Sequence, residues 1–136
     1  ERPGGQGMAD IWTSVKVGKS WGKPTNLGAT INTKGQETTV FVTPDEKYLF
    51  FSSTGHEGMG GYDIYVCENK DGQWSAPVNL GYPINSVMDE THFTFNQETK
   101  MAFYSTVSNS KNGGLGARDI FQIDMSNYEF NFPEAE

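Results

Sequence analysis

The chain states one stretch twice. Residues 21–38 read WGKPTNLGATINTKGQET and residues 74–91 read WSAPVNLGYPINSVMDET, related by a shift of 53. The identities are Trp21/Trp74, Pro24/Pro77, Asn26/Asn79, Leu27/Leu80, Gly28/Gly81, Ile31/Ile84, Asn32/Asn85, Glu37/Glu90 and Thr38/Thr91. A repeat of that length is one supersecondary unit, too small to bury its apolar surface alone, so neighbouring units must stack. The rest of the chain reads as further copies of it.

Each copy is a run of short strands. In the second, Glu37–Thr43 is β-branched and aromatic, Pro44–Lys47 has the residues of a type I turn, and Tyr48–Ser53 (YLFFSS) returns. The consecutive apolar residues of that return strand predict burial on both faces, because a half-exposed strand alternates. Thr54–Gly61 is a Gly-rich loop, Tyr62–Glu68 a strand, Asn69–Gly72 a hairpin turn and Gln73–Leu80 the next short strand. The first copy supplies only the last two strands, Asp10–Val17 and Trp21–Leu27. The third supplies His92–Phe95, Met101–Thr106 and Arg118–Asp124, the last matching Tyr62–Glu68 at a shift of 56, with Asn127–Phe132 expected as a final strand. No stretch has the period of an amphipathic helix.

Four antiparallel strands, here called A to D, repeated about every 50 residues and buried on both faces, predict an all-β chain built of β-propeller blades. The expected boundaries are a half blade at 1–28, a full blade at 29–81, a near-full blade at 82–132 and an exit tail at 133–136. Two and a half to three blades fall short of the roughly 4–8 that close a propeller. The chain is therefore expected to be part of a larger propeller, and its opening, ERPGGQG, reads as the middle of a loop in a fragment or processed product. Incomplete rings leave flat apolar faces and unpaired strands open, so self-association is expected unless other blades of the parent chain or of other chains cover them.

The net charge of −7 and pI near 4.7 argue against nucleic acid or an anionic membrane surface as partner, since both need clustered Lys and Arg. No apolar run approaches a membrane span of about 18–20 residues, and no signal peptide opens the sequence. The single Cys67 excludes an internal disulfide and cannot alone hold zinc.

The strings TPDEKYLFFSS, GGYDIYV and W-x-x-P-x-N-L-G-x-x-I-N resemble the WD40-like (TolB-like) propeller repeats of bacterial envelope proteins, as does the opening RPGGQGMADIW. In that family a Pro-Asp-Gly-Lys turn precedes an aromatic strand ending in Ser-Ser. Here Glu46 replaces the turn glycine, and the third copy has Asn96-Gln97-Glu98-Thr99. Similar repeats occur in Bacteroidetes outer-membrane and periplasmic proteins, beside an OmpA-like peptidoglycan-binding domain. The resemblance implies a periplasmic or cell-surface location, an envelope protein partner and no cofactor. It covers residues 2–124 and speaks to fold far more than to function. Kelch repeats are a second candidate, on Gly60-Gly61-Tyr62 followed by Trp74, with the same architecture.

If strand A runs from top to bottom, the short A–B and C–D turns lie at the bottom. The long loops lie at the top: Thr54–Gly61 and Val107–Ala117 between B and C, Gly28–Gln36 and Gly81–Asp89 between D and A. The top is the expected binding face. Groups that recur in each unit are expected to satisfy loop backbone: Asp10, Asp63 and Asp119 at the start of strand C, with Asn32, Asn85, Glu37 and Glu90. Trp21 and Trp74 are expected to pack between blades. Residues that break the repeat are the ligand candidates: His56, Glu57, His92, Asn112 and Arg118.

Enzyme chemistry has no foothold in the sequence. Two histidines without a Ser or Cys partner at motif spacing make no triad. Cys67 lies inside a strand, expected buried and inert, and Asp89 and Glu90, as strand neighbours, point to opposite faces. Asn69–Trp74 departs from a sialidase Asp box in its Asp–Gly spacing, and no D-x-D-x-D run supports Ca²⁺. No metal site is expected. Two functions follow: a non-catalytic binding or scaffold module of the cell envelope, or the accessory propeller gating a tricorn-like or prolyl-oligopeptidase-like serine peptidase. The second needs a G-x-S-x-G elbow, which this stretch lacks.

Overall fold

The computed structural model describes residues 2–107 and 116–133. Among them every regular element is a strand, paired antiparallel within small sheets. The first unit holds β1 (Trp12–Thr13) paired with β4 (Thr25–Asn26), and β2 (Lys16–Val17) paired with β3 (Ser20–Trp21). The second holds β5 (Glu37–Val42), β6 (Tyr48–Ser53), β7 (Asp63–Lys70) and β8 (Gln73–Trp74) in that order, with β9 (Val78–Asn79) also on β7. The third is β10 (Glu90–Phe95), β11 (Met101–Val107) and β12 (Arg118–Asp124).

The expected fourth strand is broken in both units that contain it, between β3 and β4 and between β8 and β9. Pro24 and Pro77 sit at the break, where a ring without an N–H cannot donate to a ladder. The chain is held across the gap by Gly22 N–H to Val15 O at 2.8 Å and, 53 residues on, by Ser75 N–H to Glu68 O at 2.8 Å. The predicted strand Asp10–Val17 is likewise split, whereas its counterpart β7 is continuous. The difference lies in the neighbours: β7 is laddered to β6 on its other edge, and no described strand lies there for the first unit.

Asn127–Phe132 is not a strand, contrary to expectation. Instead Phe130 and Phe132 turn onto Tyr48, at ring separations of 5.3 and 6.1 Å, and Phe130 also meets Phe50 at 5.9 Å. Aromatic burial beside the core outweighs what a single edge ladder would contribute there.

The apolar run of β6 divides between two cores. Leu49 and Phe51 face back, opposite Cys67 and Tyr65 of β7, and meet Ile11, Ile31 and Leu27 of the preceding unit. Phe50, with Ile64 and Val66, faces front and meets Phe93, Phe95, Ala102 and Tyr104 of the third. The two interfaces are built alike. Ile11, Leu27 and Ile31 cover Leu49 and Phe51; shifted by 53, Ile64, Leu80 and Ile84 share a core with Ala102 and Tyr104. The sheets stack front to back.

Both A strands carry a bulge at the same place, between Thr38 and Phe41 and between Thr91 and Thr94. Thr39 (φ 49°) and His92 (φ 57°) occupy the left-handed region there. Thr39 Oγ1 donates to Ser52 Oγ at 2.7 Å and accepts from His92 N–H at 3.3 Å, tying one bulge to the next.

Glu46, in the A–B turn, also has a positive φ of 57° and an exposed side chain. An L side chain is disfavoured in that region, and glycine, though it loses more freedom on folding, adopts it without a clash. Glu46→Gly is therefore expected to stabilise the chain by about 0.5–1 kcal/mol, read as a melting temperature raised by a few degrees. An unchanged or lowered value would mean that the turn is not under this strain.

Candidate functional site

The long loops 28–36, 54–61 and 81–89 gather at one end, and most of Val107–Ala117 lies outside the described residues. Loop 28–36 is wedged between the B–C loops of the first and second units, and loop 81–89 lies against the B–C loop of the second. Glycines make the crossings possible. A Cβ on Gly60 would lie 2.0 Å from the Met88 carbonyl oxygen, and one on Gly35 would lie 2.8 Å from Gly55 Cα.

Two polar clamps, each built twice, fix these loops. In the first, the buried Asn32 side chain pairs with the backbone of Ile11, accepting from its N–H at 2.7 Å and donating to its carbonyl at 2.9 Å. Its amide also donates to Asn26 Oδ1 at 2.9 Å, which accepts from Gly28 N–H at 2.8 Å. Asn85 repeats this on Ile64 at 2.8 Å in both directions, with Asn79 and Gly81 in the supporting places.

The second clamp is a buried carboxylate. Glu37 accepts from Thr33 N–H (2.9 Å), Thr33 Oγ1 (2.6 Å) and Ser53 Oγ (2.8 Å). Glu90 accepts from Ser86 N–H (3.0 Å), Ser86 Oγ (2.6 Å) and Thr106 Oγ1 (2.8 Å). The hydroxyl partners escape a search for identities, because Thr33 became Ser86 and Ser53 became Thr106. Matching the hydroxyl rather than the residue at the shift of 53 would have found them.

The strand-C aspartates hold the B–C loops. Asp10 accepts from Gln6 and Gly7 N–H at 2.8 and 3.2 Å, and Asp63 from Met59 and Gly60 N–H at 2.6 and 3.2 Å. The units differ in one respect. Asn26 Nδ2 reaches Asp10 Oδ2 at 3.4 Å, whereas Asn79 Nδ2 turns to the Glu57 carbonyl at 3.3 Å, and Asp63 Oδ1 is buried without a protein partner. Asp119 stands opposite Thr106 in the register, as Asp63 stands opposite Ser53.

The repeat-breaking residues divide. His56 is a brace: its Nε2 donates to the Ile31 carbonyl at 2.7 Å, and its ring lies 5.8 Å from Phe51 and 5.2 Å from Tyr65. Glu57 has an exposed side chain, while its carbonyl accepts from the Tyr65 hydroxyl at 2.7 Å. His92 is the bulge residue of β10 rather than a loop residue, with Nδ1 2.9 Å from Thr91 Oγ1. Arg118 converges on the same hydroxyl at 3.4 Å and pairs with Asp89 at 3.7 Å. His92 and Arg118 thus meet at Thr91, apart from His56 and Glu57. Asn112 lies outside the described residues.

Trp74 is partly buried against the core of Ile11, Ile31 and Leu49, between two units. Trp21 does not pack between units and is 70% exposed. Trp74 leans on the unit before it, and Trp21 has no such neighbour among the described residues.

Burial pushes the Cys67 thiol up to about 12. The Tyr65 phenol is also pushed up to about 12 by burial, partly offset by Asn79 and reinforced by the carboxylates of Asp63 and Glu57. Both groups keep protons in the native chain that the unfolded chain releases from about pH 9 upward. Stability is therefore expected to hold below pH 9 and to fall between pH 9 and 12, with Cys67→Ala removing the thiol's share of the fall. Native Cys67 should react with a disulfide reagent no faster than the chain unfolds. Rapid labelling at pH 8 would contradict its burial.

Among the described residues no three His, Cys, Asp or Glu side chains are grouped to hold a metal ion, and no helix is long and apolar enough to cross a membrane. The recurring Asn and Glu side chains are occupied with loop backbone and hydroxyls, and the outer groups at this end include Glu57, Met59, Tyr82 and Val87. No protein-family model matches the chain, and no curated protein or solved structure matches it.

Proposed function

We propose that the chain is a run of propeller blades of the WD40-like (TolB-like) kind, serving as a non-catalytic binding or scaffold module of a bacterial cell-envelope protein. The observation that carries this reading is the doubly clamped loop end. Every recurring Asn and Glu is spent on holding loops still, which is what a recognition surface needs and what a catalytic group cannot share. The front-to-back stacking of like sheets supports the blade assignment. In this reading the partner is an envelope protein or the peptidoglycan near it, and the module sits in the periplasm or at the outer-membrane surface.

The test is co-sedimentation of the purified chain with peptidoglycan sacculi and with solubilised outer-membrane proteins. Glu57→Lys with Val87→Asp, both at the loop end, is expected to weaken capture by about tenfold or more. Lys70→Glu, in the hairpin at the opposite end, should leave it unchanged. Capture lost through the hairpin change alone would move the binding face to the other end. A hydrolytic activity that maps to these residues would sink the reading.

A further inference from the structure

The two interfaces between units differ at the edge nearest the C–D hairpin. Between the second and third units that edge is closed. Val66 and Val78 pair directly across β7 and β9, and the core they join also takes Tyr128 and Phe130. Between the first and second units the same edge is an open cleft of about 490 Å³, whose walls include Thr13, Thr25, Thr30, Gly72, Gln73 and Trp74. That volume lies within the roughly 300–1,000 Å³ of small-molecule sites.

The open edge follows from a few changes between copies. Thr13 and Thr25 pair across β1 and β4 where, 53 residues on, Val66 and Val78 pair, and Thr30 stands in the place of Pro83. Three positions that are apolar beside the closed edge thus carry hydroxyls beside the open one. On the facing unit, the shift of 56 sets Gly72 and Trp74 against Tyr128 and Phe130, so the ring of Tyr128 has no equivalent here. Trp74 is partly buried on the core of Ile11, Ile31 and Leu49 while also lining the cleft, which holds its indole in place. Thr13, Thr25, Thr30 and Gln73 are exposed, and their side chains make no hydrogen bond to other described residues.

A guest in this cleft must suit both kinds of wall. No charged side chain among the described residues lines it, so an ion would give up its water for no counter-charge. A wholly apolar guest would strip water from three hydroxyls and an amide and return no hydrogen bond. A pyranose ring meets both demands: it offers a C–H face to an indole and hydroxyls to groups that donate and accept. We propose that the cleft between the first and second units binds a neutral sugar ring, with Trp74 against its apolar face and Thr13, Thr25, Thr30 and Gln73 at its hydroxyls. The proposal stands on this cleft and does not rest on the loop end being a binding face.

Chitotriose and cellotriose, two neutral trisaccharides, test this when titrated into the isotope-labelled whole chain. At least one is expected to shift the Trp74 indole N–H resonance, with a dissociation constant of about 0.1–1 mM. Thr13→Val with Thr25→Val copies the closed edge at two exposed positions without changing side-chain shape, so the fold should be kept. Affinity in that variant is expected to fall by about tenfold or more. If it does not fold, Gln73→Ala with Thr30→Val serves in its place, with the same loss expected. Trp21→Ala removes the other exposed indole, and binding should be unchanged. No shift of the Trp74 resonance by either sugar up to about 10 mM overturns the proposal. So does full affinity in the Thr13→Val, Thr25→Val variant, and so does loss of binding in Trp21→Ala, which would put the sugar on a bare surface ring. The chain carrying Glu57→Lys and Val87→Asp should bind the trisaccharide as the wild type does, which separates failure of this proposal from failure of the functional one.

Discussion

Phe50→Ala is expected to destabilise the chain by about 3–5 kcal/mol, and Phe103→Ala by less than about 1 kcal/mol. The two residues hold the same place in successive units, 53 apart, on strands of matching register. They differ in what lies against them. Phe50 has no exposure and meets Phe93 at 4.8 Å, Phe95 and Phe130 at 5.9 Å, and Phe41 and Tyr48 at 6.3 and 6.4 Å. Truncation there opens a cavity between two sheets whose bulged strands cannot readily collapse into it. Phe103 is 44% exposed, so truncation there forfeits only part of a buried side chain and opens no enclosed cavity. Urea unfolding followed by tryptophan fluorescence gives both values at once, provided that the slope is unchanged. Equal losses at the two positions would mean that the second and third sheets do not stack as described.

Glu90→Ala should cost about 3 kcal/mol, from a side chain that does no packing between sheets. The loss removes the acceptor of the part-buried Ser86 N–H and Oγ–H and leaves the buried Thr106 Oγ–H only the Val107 carbonyl at 3.4 Å, each unmet buried donor costing about 1–3 kcal/mol before the hydroxyls turn elsewhere. Glu90→Gln should recover little of this. One amide oxygen can still accept, but the NH₂ group then faces a donor. A double-mutant cycle with Thr106→Val separates the contact from the cavity, with coupling expected because the two groups share one hydrogen bond at 2.8 Å. Glu37 predicts the same result one unit earlier. If Glu90→Ala changed stability by less than about 0.5 kcal/mol, the carboxylate would not be a clamp.

The strand pattern was legible wherever side chains alternate between two neighbours. Tyr48–Ser53 and Arg118–Asp124 stand as expected, because β-branched and aromatic residues there specify both ladder and faces. Tertiary burial overrode the local pattern elsewhere. Tyr128, Phe130 and Phe132 alternate like a strand but serve as a plug on the core, and Trp21 shares its motif with Trp74 yet has no unit to pack on among the described residues. The loop end was legible in outline, since long Gly-rich loops must go somewhere together. Its individual roles were not. A departure from the repeat at His56 suggested a ligand, but the position, occupied by Pro3 in the first unit, carries a brace to Ile31. A change between copies records only that the local neighbour changed. Nothing in one sequence says whether that neighbour is a partner or the chain itself.

The two clamps also mark where one module stops and the next begins. The asparagine clamp of the first unit, Ile11 with Asn26, Gly28 and Asn32, lies wholly before the peptide bond joining residues 32 and 33. The carboxylate clamp of the second, Thr33 with Glu37 and Ser53, lies wholly after it. The same division falls between Asn85 and Ser86. Residues 33–85 thus divide the clamps without splitting one, while His56 to the Ile31 carbonyl and His92 N–H to Thr39 Oγ1 tie this stretch to the units on either side. Excising that stretch would join Asn32 directly to Ser86 and present the front of the first unit to the back of the third. Both surviving clamps would stay whole. Such a molecule is the register in which units of this chain can be gained or lost without splitting a clamp, the Ile31 carbonyl being the group that loses its His56 partner.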